Sequence, residues 1–308
     1  MRTILVKKIL KKLKKEISED RITENADMRK YTSFRAGGCA DFLVEPENEN
    51  QLIHALNVLR QEKAEFMVLG NGSNVLVRDG GYRGIILKIG SGLSRIDVED
   101  NVLECGSGAL LSVISRVALN EGLSGFEFAS GIPGSAGGAV FMNAGAYGGE
   151  MKHVLESVRV FEFRTGIVRE MSVDELDLSY RHSILEETGD VVLSLRIRLQ
   201  EGDKEEISEK MKELARQRNL KQPVQYPSAG SFFKRPEGYF AGKLVQDAGL
   251  KGVSVGGAQV SELHSGFVIN TGEATADDII RLMRLVQNTV YDRFGVMLEP
   301  EVRIIGEE

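Results

Sequence analysis

Three stretches of this 308-residue sequence combine small residues with polar side chains in a way that suits phosphate and large planar ligands. In VLGNGSNVLVRDGG, at 68–81, a strand pattern ends at Leu69 and gives way to Gly70, Asn71, Gly72, Ser73 and Asn74. Glycines let neighbouring N–H groups converge into a concave nest that accepts phosphate oxygens. Ser73 and Asn74 add side-chain donors. The spacing is neither the Gly-Lys-Thr/Ser of a P-loop nor the G-x-G-x-x-G dinucleotide fingerprint. Taken alone, a glycine-rich turn after a strand is more often just a turn.

The second stretch, GIPGSAGGAVFMNAGAYGGE at 131–150, has seven glycines and one charge, Glu150. Gly131, Ile132, Pro133, Gly134, Ser135, Gly137, Gly138, Asn143, Ala144 and Gly145 form a backbone surface against which an extended ligand can lie flush. Gly134, Ser135, Gly137 and Gly138 are candidate N–H donors. The same residues also read as a tight packing corner. The third stretch, YTSFRAGGCADFLVEP at 31–46, offers Thr32, Ser33 and Arg35. An arginine among small residues suits a phosphate or isoalloxazine contact, or is a surface arginine near a turn. Two glycine-rich cradles in neighbouring parts of one chain read together as the jaws of a dinucleotide site, its pyrophosphate between them. FMN, with one phosphate, would not need both.

The elements that must hold these loops follow from periodicity. FMVLG (66–70) and GIILKI (84–89) read as buried strands, and 48–63 as a helix with Leu52, Leu56 and Leu59 on one face. A strand at 101–108 leads to a helix with Leu110, Val113, Ile114 and Val117 at helical spacing, stopped by Gly122. Strands follow at 157–166 and 191–200, then a charged helix near 205. QPVQYPSAGSFFKRPEG carries three of the six prolines and reads as a loop with fixed bends. A long helix runs from about Asp277 to Phe294, with a Thr275-x-x-Asp278 start signal, and LEPEVRIIG reads as a closing strand. The pattern is α+β. It divides into residues 1–90, 91–203 and 204–296, with 297–308 returning to the first part.

A net charge of −6 argues against nucleic-acid binding, and 42% hydrophobic with 27% charged residues fits a soluble globular protein. Cys39 and Cys105 stand far apart, outside any Cys/His cluster, so neither a metal site nor a disulfide is expected and a reducing, cytoplasmic setting is. At the N-terminus Val6, Leu10, Leu13 and Ile17 recur at helical spacing with lysines opposite. That pattern is read as a surface helix docked on the body of the protein, in preference to a lipid-binding helix. No stretch approaches a membrane span.

SFRAGG, LGNGSN, the 131–150 stretch, SYRHS, AGSFFKRP and LEPEVRIIG occur in that order. From residue 20 onward the chain resembles the UDP-N-acetylenolpyruvoylglucosamine reductase family. Each motif alone is weak; six in order are specific. The resemblance implies a vanillyl-alcohol-oxidase-type fold, with non-covalent FAD held between the first two parts and a third part closing over a UDP-sugar. It implies that NADPH gives hydride to FAD, and that after NADP leaves the hydride passes to the enolpyruvyl double bond. It places the family's arginine at Arg181, its serine at Ser231 and its glutamate at Glu301. Glu299, two residues away on the same strand face, is the alternative. A cation, a carboxyl partner and a hydroxyl donor are what the developing negative charge requires.

Fifty positions separate Arg181 from Ser231, as in the shorter form of the family, which lacks an inserted tyrosine loop over the substrate. Tyr226, Lys234 and Arg235 are the substitute candidates for the UDP end. A monomer is expected. The rival readings are an FAD-dependent oxidase of the same fold, acting on an alcohol or sugar, and a nucleotide-binding module without catalysis.

Overall fold

The computed structural model describes residues 2–308, with side chains from Val6 onward. Helices and strands alternate throughout, and the α+β class is the one the sequence implies. A four-stranded sheet has the order Ile22–Asp27, Cys39–Val44, Tyr82–Lys88, Phe66–Leu69. In it Phe66 to Leu69 run parallel to Ile85 to Lys88.

The chain forms two compact units with interleaved segments. The first comprises the chain to Glu24, Phe42–Asn71 and Gly84–Arg216. Its five-stranded antiparallel sheet has the order Ile167–Ser172, Leu155–Glu162, Val191–Arg198, Val102–Gly106, Ile96–Glu99. Asn48 accepts a hydrogen bond from Gln51 N at the start of the helix Glu49–Gln61, and Leu52, Leu56 and Leu59 of that helix are fully buried. Burying side chains of this size stabilises by about 1.5–3 kcal/mol each. Ile9, Leu13 and Ile17 pack into the same cluster, so the apolar side of the N-terminal helix Arg2–Leu13 faces the protein. Lys8 and Lys12 both reach Glu62, at 2.7 and 2.5 Å.

One expectation is corrected in this unit. In the helix Leu111–Glu121 the buried face is Leu111, Ile114, Ser115 and Ala118, while Leu110 and Val113 are exposed. The helix starts one residue later than its apolar pattern, with Leu110 extended at the N-cap and bridged to Ser135. Ser115 faces inward, its hydroxyl donating to the Leu111 carbonyl at 2.9 Å. Cys105 is buried beside this cluster, and burial, helped by Glu104 and Asp97, pushes its thiol up to about 12.

The second unit comprises Asn25–Asp41, Gly72–Arg83 and Gln217–Glu308. Its sheet has the order Ser228–Ser231, Phe267–Asn270, Ala258–Val260, Ser254–Val255, all antiparallel. The proline-rich segment therefore contains a strand, where only a loop was expected. The helix Ala276–Phe294 opens with a full capping box between Thr275 and Asp278. The Asp79 carboxylate also accepts from Ala276 N at 2.9 Å and Asp277 N at 2.8 Å. The closing strand is shorter than expected. Only Arg303–Ile305 is regular, paired in parallel with Val75–Val77, while Glu299 and Glu301 flank an isolated bridge between Phe233 and Pro300.

Candidate active site

In the first unit the strand Phe66–Leu69 delivers Gly70 and Asn71 beside the glycine-rich stretch. The Asn71 amide donates to the Pro133 carbonyl at 2.8 Å. Gly70 has no room for a side chain, because a Cβ there would lie 2.5 Å from Ser135 Oγ. Ser135 is 2% exposed, and its hydroxyl, which also faces Gly138, has no hydrogen-bond partner. A buried hydroxyl without a partner is costly.

Not every expected donor is on offer. The Gly137 N–H is committed to the Ser107 carbonyl at 2.8 Å, and its lack of a Cβ serves close packing on Ser107. Asn143 is 1% exposed, and its side chain is committed too. Its Nδ2 donates to Glu150 Oε2 and to the Ser179 carbonyl, each at 3.0 Å, while its Oδ1 accepts from Lys152 N at 3.0 Å. Its backbone N–H is committed as well, donating to the Val140 carbonyl at 3.0 Å. Gly145 pairs with Glu150 in a two-residue hairpin, directly after Ala144.

Arg181 sits in a turn closed by reciprocal backbone bonds between Ser179 and His182, at 3.2 and 3.3 Å. Its φ is +56°, a left-handed state costly for a long side chain. Its guanidinium lies 5.1 Å from the centre of the Tyr180 ring. His182 faces Asp177, Glu186 and Glu187 at 3.9–4.0 Å.

In the second unit Gly72 has φ +66°, and a Cβ there would overlap the Tyr31 carbonyl oxygen. Its own carbonyl accepts from Ser33 N at 3.1 Å. Ser33 Oγ donates to the Ser228 carbonyl at 2.6 Å, which ties SFRAGG to the strand ending in Ser231. Thr32 is buried, its hydroxyl bonded to the Met28 carbonyl at 3.2 Å. Arg35 is exposed, with φ +53°. Ser73 and Asn74 complete the loop, both half-buried. Asn74 Nδ2 donates to the Glu301 carbonyl at 3.1 Å.

Ser231 is exposed at the end of its strand, after Gly230 at φ +77° and a register shift. Glu301 N donates to the Phe232 carbonyl at 2.8 Å, and Lys234 N to the Glu299 carbonyl at 2.8 Å. Glu301 is half-buried, whereas the Glu299 carboxylate is 73% exposed and 3.9 Å from Lys234 Nζ. Arg235 stacks over the Phe240 ring at 4.7 Å, and Tyr226 is exposed.

The sequence missed Asn270. Buried at the end of the strand Phe267–Asn270, it donates to the Phe34 carbonyl at 3.0 Å and accepts from Gly272 N and Ala274 N. A polar residue closing the apolar run GFVI was the available signal. Ser183, fully buried and bonded to the Phe141 carbonyl at 2.7 Å, gave no comparable signal.

Comparison with known proteins agrees with this geometry. Residues 40–172 match the family model "FAD binding domain", and residues 222–305 match "UDP-N-acetylenolpyruvoylglucosamine reductase, C-terminal domain". The UDP-N-acetylenolpyruvoylglucosamine reductase of Alkaliphilus oremlandii is 49% identical over 98% of this chain and 99% of its own. That of Caldanaerobacter subterraneus subsp. tengcongensis is 51% identical over 97% and 99%. The chain belongs to the UDP-N-acetylenolpyruvoylglucosamine reductase family. A crystal structure of the Thermus caldophilus UDP-N-acetylenolpyruvylglucosamine reductase superposes with a TM-score of 0.80 at 37% identity, over 92% of this chain and 98% of that one.

Membership makes the chain an FAD-containing oxidoreductase with an FAD-binding domain. The residues present fit the cofactor. The partnerless Ser135 hydroxyl, beside Gly70 and Gly138, is what a backbone-lined phosphate site leaves for a ligand to satisfy. Among the described residues no helix is long and apolar enough to cross a membrane, and no cluster of His, Cys, Asp and Glu has the makings of a metal site.

Proposed function

We propose that this chain uses NADPH and bound FAD to reduce the enolpyruvyl ether of UDP-N-acetylglucosamine to UDP-N-acetylmuramate, a step in peptidoglycan precursor synthesis. The single observation that carries the residue roles is the backbone bond from Glu301 N to the carbonyl of Phe232, which follows Ser231 directly. It fastens the segment bearing the carboxyl next to the segment bearing the hydroxyl.

FAD supplies the relay by which hydride from NADPH reaches the terminal CH2 of the enolpyruvyl group. Negative charge then develops on the neighbouring carbon and spreads into the substrate carboxylate. Arg181 stabilises that charge, Ser231 gives the proton to the carbon, and Glu301 supplies the carboxyl group. One hydride and one proton thus add across the double bond. Glu299, exposed and paired with Lys234, suits this role less.

The FAD contacts are Gly70, Asn71 and the 131–145 backbone in the first unit, and Thr32, Ser33, Arg35 and Gly72 to Asn74 in the second. Ser135 contributes its hydroxyl. Tyr226, Lys234 and Arg235 serve the UDP end. Residues 1–90 and 91–203 act as the FAD-binding parts, and 204–296 as the part that takes the UDP-sugar. The enzyme works as a cytoplasmic monomer, without nucleic acid.

Anaerobic stopped flow tests the assignment. Ser231→Ala should bleach with NADPH at the wild-type rate, then regain its yellow colour about a hundredfold more slowly on addition of the enolpyruvyl substrate. Recovery at the wild-type rate removes Ser231 as the acid. Failure to bleach places it at the NADPH or flavin step instead.

A further inference from the structure

We infer that Asn143 is a positioning residue for Arg181, acting through the turn that carries the arginine; the inference rests on the role given to Arg181 above. Ser179 and Arg181 lie far along the chain from the glycine-rich stretch, yet two hydrogen bonds fasten their turn to it. Asn143 Nδ2 donates to the Ser179 carbonyl at 3.0 Å, and Ser183 Oγ donates to the Phe141 carbonyl at 2.7 Å. The anchors bracket Arg181, one on each side. The Ser179 carbonyl also accepts from His182 N, so both its lone pairs are used.

This arrangement solves a conformational problem. Arg181 holds φ at +56°, which a long side chain adopts only where its surroundings impose it. An unanchored four-residue turn would relax, and the guanidinium would move with it. Asn143 is itself fixed. It is 1% exposed, holds φ at +40°, a value asparagine tolerates better than most residues, and binds Glu150 Oε2 and Lys152 N with the rest of its amide. A surface residue of the cradle would turn its amide toward the cofactor; this one turns it into the protein and onto the arginine turn. A displacement of about 1 Å at a charge-stabilising group is enough to slow a reaction by up to a hundredfold.

Asn143→Gly is the informative variant, because it keeps the left-handed backbone and removes only the amide. In the FAD-free full chain, hydrogen exchange of a peptide spanning 176–185 should quicken about tenfold, with the five-stranded sheet unchanged. In the FAD-loaded enzyme, NADPH bleaching and flavin content should match wild type, while reoxidation by substrate slows tenfold to a hundredfold. In an Arg181→Ala background, Asn143→Gly should add no further loss, since both act through one group. Ser183→Ala, which removes the second anchor, should give the same pattern more weakly and serves if Asn143→Gly does not fold. Loss of flavin, equal slowing of both half-reactions, or a fully additive loss with Arg181→Ala would overturn the inference and return Asn143 to the cofactor or the scaffold. If Arg181→Ala alone reoxidises like wild type, the role of Arg181 fails, and the exchange measurement by itself decides whether Asn143 holds the turn.

Discussion

Asn74 reaches across 227 positions of sequence to hold the carbonyl of Glu301 at 3.1 Å, while the Asn74 carbonyl accepts from Arg303 N at 3.0 Å. A loop residue of the proposed cofactor cradle thereby sets the path of the segment bearing the proposed catalytic carboxyl. The two strands that flank this contact, Val75–Val77 and Arg303–Ile305, continue it in parallel register. Cradle and carboxyl are therefore one mechanical piece within this unit.

Asn74→Ala should then lower flavin retention and turnover together, since it loosens the loop and the Glu301 segment at once, with a stability loss of about 1 kcal/mol from the missing bond. Glu301→Gln should leave flavin content at the wild-type level and cut turnover by on the order of tenfold or more. Flavin absorbance per protein and steady-state rates on the same preparations separate the two. If Glu299→Gln loses turnover and Glu301→Gln does not, the carboxyl role belongs to Glu299.

Gly72 offers a sharper test of the cradle. A side chain there meets both the positive φ and the Tyr31 carbonyl, so Gly72→Val must displace backbone. Purified Gly72→Val should be colourless or nearly so, and added FAD should rescue it poorly. The melting temperature of FAD-free wild type and variant provides the control. A flavin content like wild type would show that the loop backbone does not approach the cofactor.

Some of this was legible in the residues, and the reason is locality. The Thr275-x-x-Asp278 signal, the buried stripe of Leu52, Leu56 and Leu59, and the Gly122 stop all rest on contacts within one or two helical turns. The close packing at Gly70 and Gly137, on Ser135 and Ser107, was signalled by the runs of small residues. What was hidden depends on distant partners. Leu110 and Val113 are apolar at helical spacing, yet Leu110 lies before the helix, bridged to Ser135, and both are exposed. The strand Ser228–Ser231 lies among prolines and contains Gly230, and only its pairing with Phe267–Asn270 makes it a strand. Asn143 looked like a ligand for the cofactor because its partner Ser179 is invisible from its neighbours.

The start of the helix Ala276–Phe294 carries two independent caps, which makes their energies separable. Thr275→Ala removes the side-chain acceptor for Asp278 N and should cost about 1 kcal/mol. Asp79→Ala removes the acceptor for Ala276 N and Asp277 N from outside the helix and should cost a similar amount. Urea titrations of both singles and the double should show losses that sum to within about 0.5 kcal/mol, because the caps serve different N–H groups. A double variant no worse than Asp79→Ala would mean that the carboxylate alone holds the helix start.

Glu150 gives the protein a calculable response to acid. Burial raises its carboxyl, but hydrogen bonds from Lys152 and Asn143, with the charges of Lys152 and His153, outweigh burial and hold it below the ordinary glutamate value. A carboxyl whose value is depressed in the folded state binds protons more readily in the unfolded chain. Its contribution to stability is therefore fully present above the ordinary glutamate value, and it is lost as pH falls from there through the depressed folded value. Glu150→Gln lacks this contribution at every pH. The difference in melting temperature between wild type and Glu150→Gln should accordingly be largest near neutrality and shrink steadily below about pH 4.5, where glutamate ordinarily titrates. Measuring both proteins by thermal denaturation from pH 7 downward tests this directly. A difference that stays constant on acidification would mean that the carboxylate charge of Glu150 is not what holds Asn143 and Lys152 together.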